Sequence, residues 1–267
     1  MLKDITLGQY FPGDTVIHRL DPRTKLVLVV VYIVTLFCAK HVVTYALTLA
    51  ALIGVILASK IKIKVILRSM KPLLFIIALT GILNLFYSQG EPLVSFWIFT
   101  ITKEGIWSAV FMVLRISMLI CGTFMLTYTT SPIALTDGIE QLLQPLKKIK
   151  VPVHELAMMM CIALRFIPTL IVETDKIMSA QKARGADFET GSLLSRAKAL
   201  IPILVPLFIG AFRRADELAV AMECRCYHGG EGRTRMKQLS FSAKDYVAFI
   251  GGFLLMGIVI VLGSAGL

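Results

Sequence analysis

The chain has 267 residues, 57% of them hydrophobic, with a mean hydropathy of +0.78 and a net charge of +11. That apolar share exceeds the roughly 45–50% of soluble domains and excludes an ordinary globular enzyme or a nucleic-acid-binding module. The predicted class is an all-α polytopic membrane protein, since the alternating pattern of a membrane β-barrel is absent.

Residues 1–25 hold Asp4, Asp14 and Asp21 and no apolar stretch of the signal-peptide kind. Asp21-Pro22 then opens the first span, because Asp caps a helix and Pro suits its first position. Apolar runs at 26–39, 42–58, 73–87, 105–130 and 246–262 are predicted as five spans. Lys3, Arg19, Arg23 and Lys25 precede the first, and Lys60, Lys62, Lys64, Arg68 and Lys71 crowd the 59–71 connection. Lys40 and Lys103 are the only basic residues of the 38–41 and 88–104 connections. By the positive-inside rule the N-terminus and the 59–71 loop are cytoplasmic, with the 38–41 turn, the 88–104 loop and the C-terminus outside.

Arg115 lies mid-span in 105–130, where a charge marks a functional site or a buried structural contact. Both remain open, with Asn84 and Thr123 as candidate neighbours. Arg19, Asp21 and Arg23 are read as anchoring the first span to the cytoplasmic helices.

Residues 131–243 are read as one cytoplasmic helical region, between 1–130 (N-terminal segment and four spans) and 244–267 (the last span). Two apolar stretches inside it, 156–172 and 199–212, would give seven spans by hydropathy alone. The first carries Arg165 and Pro168, the second is short with Pro202 and Pro206, and crossing would place Lys176, Lys182, Arg184, Arg196 and Lys198 outside. Ser131-Pro132 ends the fourth span. A short amphipathic helix follows near 134–148. Val151-Pro152 opens a long helix bent at Pro168 and stopped by Gly185, and a second runs from about Leu193 to Arg225.

These two helices end alike, in Ala183-Arg184-Gly185 and Cys224-Arg225-Cys226. At an offset of 41, Asp175 matches Asp216, Ala180 matches Ala221 and Arg184 matches Arg225, while the rest matches poorly. Either each arginine complements its helix dipole, or the two are paired docking points. Met158, Met159, Met160 and Met178 on the first long helix suit a surface that repacks against several partners, or plain core packing.

The catalytic inventory is empty. There is no phosphate-binding loop and no His-Glu-x-x-His, and His18, His41, His154 and His228 are scattered. Cys224 and Cys226 lack partners for a zinc site; Cys38, Cys121 and Cys161 sit in apolar stretches. No cofactor or metal is expected.

The run Gly13-Asp14-Thr15-Val16-Ile17-His18-Arg19-Leu20-Asp21-Pro22-Arg23-Thr24-Lys25 resembles the N-terminal signature of the EcfT family, related to CbiQ. Leu164-Arg165-Phe166-Ile167-Pro168, Gln181-Lys182-Ala183-Arg184-Gly185 and Glu223-Cys224-Arg225-Cys226-Tyr227 resemble the same family, in the same order. Cys226 departs from the family's usual Gly and bears on the local turn. The resemblance implies the transmembrane scaffold of an energy-coupling factor importer in a prokaryotic plasma membrane. It implies two crossed coupling helices whose arginine tips, with Ala183, Gly185, Cys224 and Cys226, enter grooves of two ABC-type ATPase subunits (EcfA-like, identical or different). It further implies a separate S component that binds a vitamin or other micronutrient and meets the scaffold at a surface such as the Met cluster. A stand-alone secondary transporter would show repeats around a midplane site, and a membrane enzyme clustered acid, base or metal groups.

Overall fold

The computed structural model describes residues 10–87, 92–96, 99–188, 192–229 and 238–265. Its contacts divide the chain into two compact units, Gly8–Gly138 with Leu239–Leu267 and, separately, Ile139–Gln238.

The first unit holds α1 (Pro22–Cys38), α2 (Val42–Ser59), α3 (Ile63–Met70), α4 (Leu74–Tyr87), α5 (Lys103–Thr129), the start of α6 (Pro132–Leu143) and α9 (Ala243–Ser264). Four of these helices, α1 to α4, pack on α5, and α9 packs on α1 and α2. Leu36, Tyr45, Leu52, Met118 and Val259 form its main buried cluster. Close approach needs small residues, as membrane helix interfaces generally do. A Cβ on Gly122 would stand 2.4 Å from the Tyr32 ring, and one on Gly252 2.4 Å from Leu28.

Two elements depart from expectation. The basic 59–71 connection contains the helix α3, because Lys64 and Arg68 share a face at i, i+4 and Ile66 is buried on another. The 88–104 connection contains an antiparallel hairpin, β1 (Pro92–Phe96) with β2 (Phe99–Thr102), after which Thr102 caps α5 by accepting from the Gly105 N–H at 3.0 Å.

Charged side chains hold the ends of these helices. Asp21 caps α1, accepting from the Arg23 N–H at 2.9 Å, and the Arg23 guanidinium forks back onto its carboxylate at 3.0 and 2.8 Å. Arg23 also lies 4.0 Å over the Phe241 ring and donates to the Leu239 carbonyl. Asp245, 1% exposed, accepts from the Asp21 N–H and from the Ser242 N–H, both at 2.8 Å, which closes the capping box of α9. Lys25 donates to the Thr129 carbonyl at the end of α5 and to the His18 carbonyl. The neutral His18 ring donates from Nε2 to the Phe11 carbonyl and accepts the Thr15 hydroxyl at Nδ1. Burial lowers its pKa from 6.5, which favours that neutral form. Asp21 and Arg23 thus tie the first helix to the segment that enters the last, the start of α1 lies against Gly138 of α6, and Arg19 pairs with exposed Asp14.

Arg115 donates from Nε to the Tyr45 hydroxyl at 2.8 Å and from Nη2 to the Ala39 carbonyl, the C-cap of α1, at 3.1 Å. Asn84 and Thr123 are not its partners. Asn84 accepts from the Ser108 hydroxyl, and the Thr123 hydroxyl bonds back to its own helix.

The second unit holds the rest of α6, a 3-10 turn at Gln144–Ile149, and two helices of 31 residues each, α7 (Val153–Ala183) and α8 (Leu193–Glu223). Glu140 accepts from His154 across 3.1 Å and fastens α6 to the start of α7.

Among the described residues five stretches are long and apolar enough to cross a membrane: Val42–Ser59, Ile63–Phe86, Lys103–Thr129, Val153–Ala183 and Ala243–Ser264. The number matches the expectation but the membership differs. At 17 residues, about 26 Å, α1 stands at the lower limit of span length. In its place α7 qualifies, because its apolar first half is part of one unbroken helix despite Pro168.

Replacing Asp245 with Ala would strand two buried N–H donors and is expected to cost about 1–3 kcal/mol. Thermal unfolding in detergent reads this as an earlier transition, with Asp245→Asn intermediate; an unchanged melt for Asp245→Ala would contradict the anchoring role.

Candidate docking site at two helix tips

In both long helices a mainly apolar run gives way to a charged stretch before the tip. In α7 the change comes at Glu173, after the run 156–172. In α8 it comes at Arg213, after 199–212. Each charged stretch runs to its arginine without Gly or Pro, so nothing interrupts the helical hydrogen bonds before the tip.

The two tips close in the same way. Arg184 is the C-cap of α7, and Gly185 follows with φ +88°. The Ala186 N–H bonds the Gln181 carbonyl at 3.0 Å and the Gly185 N–H the Lys182 carbonyl at 3.0 Å. That is a Schellman motif with glycine in the left-handed position. At the end of α8 the Tyr227 N–H bonds the Met222 carbonyl at 3.1 Å and the Cys226 N–H the Glu223 carbonyl at 2.8 Å. Cys226, at φ +54°, takes the place of Gly185. The departure from Gly therefore leaves the turn intact, at a cost of about 1–2 kcal/mol for a left-handed non-glycine residue.

Arg184 and Arg225 thus occupy equivalent C-cap positions and both are exposed. The main chain closes the last carbonyls by itself, so neither guanidinium is needed as a cap. Among the described residues neither makes a side-chain hydrogen bond or ion pair. Ala183, Gly185, Cys224 and Cys226 around them are also exposed and small. Each tip can therefore offer an always-charged planar fork to a carboxylate. Of the methionines on α7, Met159 and Met160 are exposed, while Met158 and Met178 are half-buried.

Two residues that the sequence reading passed over join the helices. Arg214 of α8 forms an ion pair with Glu173 of α7. A pocket beside it is lined by Pro168, Thr169, Val172 and Lys176. Gly210 makes room, since a Cβ there would come within 3.0 Å of the Glu173 carboxylate. The available signal was that 173 and 214 are themselves 41 apart and oppositely charged.

Gly185→Ala is expected to loosen its tip by about 1 kcal/mol, and Cys226→Gly to tighten the other by up to about 1 kcal/mol. Hydrogen exchange at the Ala186 and Tyr227 amides would then move in opposite directions. Shifts in the same direction would contradict the shared geometry.

Residues 13–236 match the family model described as cobalt transport protein, CbiQ. A protein of Thermosediminibacter oceani named energy-coupling factor transporter transmembrane protein EcfT is 56% identical over 257 residues, covering 96% of this chain and 97% of its own. Proteins of the same name from Bacillus subtilis and Lactococcus lactis are 48% and 44% identical, covering 92% and 98% of this chain and 93% and 99% of theirs. The chain therefore belongs to the CbiQ/EcfT family of transmembrane components of energy-coupling factor transporters, and is a multi-pass membrane protein.

Proposed function

We propose that this chain is the scaffold that couples ATP hydrolysis by two ABC-type ATPase subunits to uptake of a micronutrient held by a separate S component. The observation that carries this is the pair of equivalent, exposed, unpaired arginines at the ends of two helices of equal length. A single cationic helix end is common. Two with the same C-cap arginine, a left-handed residue after it in each case and small residues on either side suit a partner that itself comes as a pair.

Each arginine would enter a groove of one ATPase subunit and pair with a carboxylate there, with Ala183, Gly185, Cys224 and Cys226 permitting close approach. The charge distribution supports a cytoplasmic N-terminus and 131–243 region, where those subunits would meet them. Closure of the ATPase pair on ATP would move the tips, and the apolar runs of α7 and α8 would pass the motion to the S component. Exposed Met159 and Met160, with half-buried Met158 beside them and half-buried Met178 further along α7, are the proposed adaptable part of that surface.

Losing one partner of an interfacial charge pair typically costs about 2–5 kcal/mol, or roughly 30-fold and more in affinity. Tagged chain co-expressed with its ATPase subunits should therefore capture them in mild detergent. Capture should weaken with Arg184→Glu or Arg225→Glu and be lost in the double variant. Undiminished capture by a well-folded double variant would overturn the docking role.

A further inference from the structure

The Glu173–Arg214 pair stands at an unusual place in the two helices. It lies eleven residues before Arg184 on α7 and eleven before Arg225 on α8 (184 − 173 and 225 − 214). At 1.5 Å per residue each tip stands about 16 Å along its helix from the pair. Residues in contact at the offset that relates two similar elements are what a local two-fold axis produces, because such an axis brings a position against its own equivalent. A strict repeat would set like charge on like charge there. This chain places Glu on one helix and Arg on the other, so the axial contact becomes attractive.

The surroundings agree with a fixed crossing point. Gly210 and Arg214, one turn apart on α8, both meet Glu173 of α7. Gly210, a poor helix former, gives the Glu173 carboxylate its space. Pro168, Pro202 and Pro206 all lie on the apolar arms, while both tip arms are free of Pro and Gly. Sliding one helix by a turn would separate the two charges, whereas a change of angle about them would not. We infer that Glu173 and Arg214 are positioning residues: their ion pair is the pivot that keeps α7 and α8 in register, so that both arginine tips reach a paired partner equally and tip motion is passed to the apolar arms.

This inference rests on the docking role proposed for Arg184 and Arg225, and its test separates the two. Spin labels carried by bio-orthogonal amino acids at positions 159 and 208, both exposed, with the five native cysteines left in place, would report the distance between the apolar arms. The sample is the scaffold with its two ATPase subunits, with and without MgATP. The parent should give a narrow distance distribution that shifts on MgATP. Glu173→Gln, Arg214→Gln and the apolar Glu173→Met/Arg214→Met should still capture the ATPases within about twofold, but give a broadened distribution and a nucleotide response reduced roughly tenfold, within the usual 5–150-fold range of a coupling interaction. The exchanged pair, Glu173→Arg/Arg214→Glu, should restore both. Because a half-buried charge left without its partner can destabilise a variant, the Met pair and the exchanged pair carry the decision. A parent-like response in the Met pair, or an exchanged pair no better than the single variants, would overturn the pivot. Capture that survives Arg184→Glu/Arg225→Glu would instead overturn the docking role alone.

Discussion

Helix ends impose the hardest constraint on this chain. Every helix leaves about four N–H and four C=O groups without partners, and apolar surroundings offer no water to take them. Much of the charge placed among the apolar segments answers that need. Asp21 closes the start of α1, Asp245 the start of α9, Lys25 the end of α5, and Arg115 the end of α1. An intramembrane arginine reads first as a functional group. Here its partners are a phenol and a main-chain carbonyl, which makes it a helix cap with additional contacts to the Phe37 and Tyr45 rings.

Against that background Arg184 and Arg225 differ in kind. Their helices finish with main-chain bonds alone, through a left-handed residue. The guanidinium groups are left over, exposed and alike. Asp21, Lys25, Arg115 and Asp245 are fasteners, whereas the two arginines are unengaged, and on the proposal made above they are kept for contact with a partner. On that proposal the change from apolar run to charged stretch along α7 and α8 gives the contact a direction, with the charged arms toward a water-facing partner and the apolar arms toward the membrane. Glu173 and Arg214 sit at the change between the two.

Much of this was legible in the residues. Asp21-Pro22, Ser131-Pro132, Val151-Pro152 and Gly185 each mark a boundary within a residue or two of where a helix starts or stops, because capping and proline geometry are local. The arginine tips were visible for the same reason. Helix α3 was missed because five basic residues read as a loop, although Ile63, Ile66, Leu67 and Met70 fill out the faces between them. The hairpin was missed because 88–104 was read only for its charge as a connection between spans, and its strands are five and four residues long. The partners of Arg115 could not be read at all: a main-chain carbonyl has no sequence signature, and Tyr45 is 70 residues away. The Glu173–Arg214 pair needed the fold to bring two ordinary helix charges together.

The central claim is that two equivalent tips engage two ATPase subunits at once. Photo-crosslinking amino acids at positions 183 and 224, singly and together, in the purified scaffold–ATPase complex test it most directly. Each single label should yield one scaffold joined to one ATPase subunit, and the double label a species carrying two. Crosslinks from one tip only, or from neither in an intact complex, would contradict it.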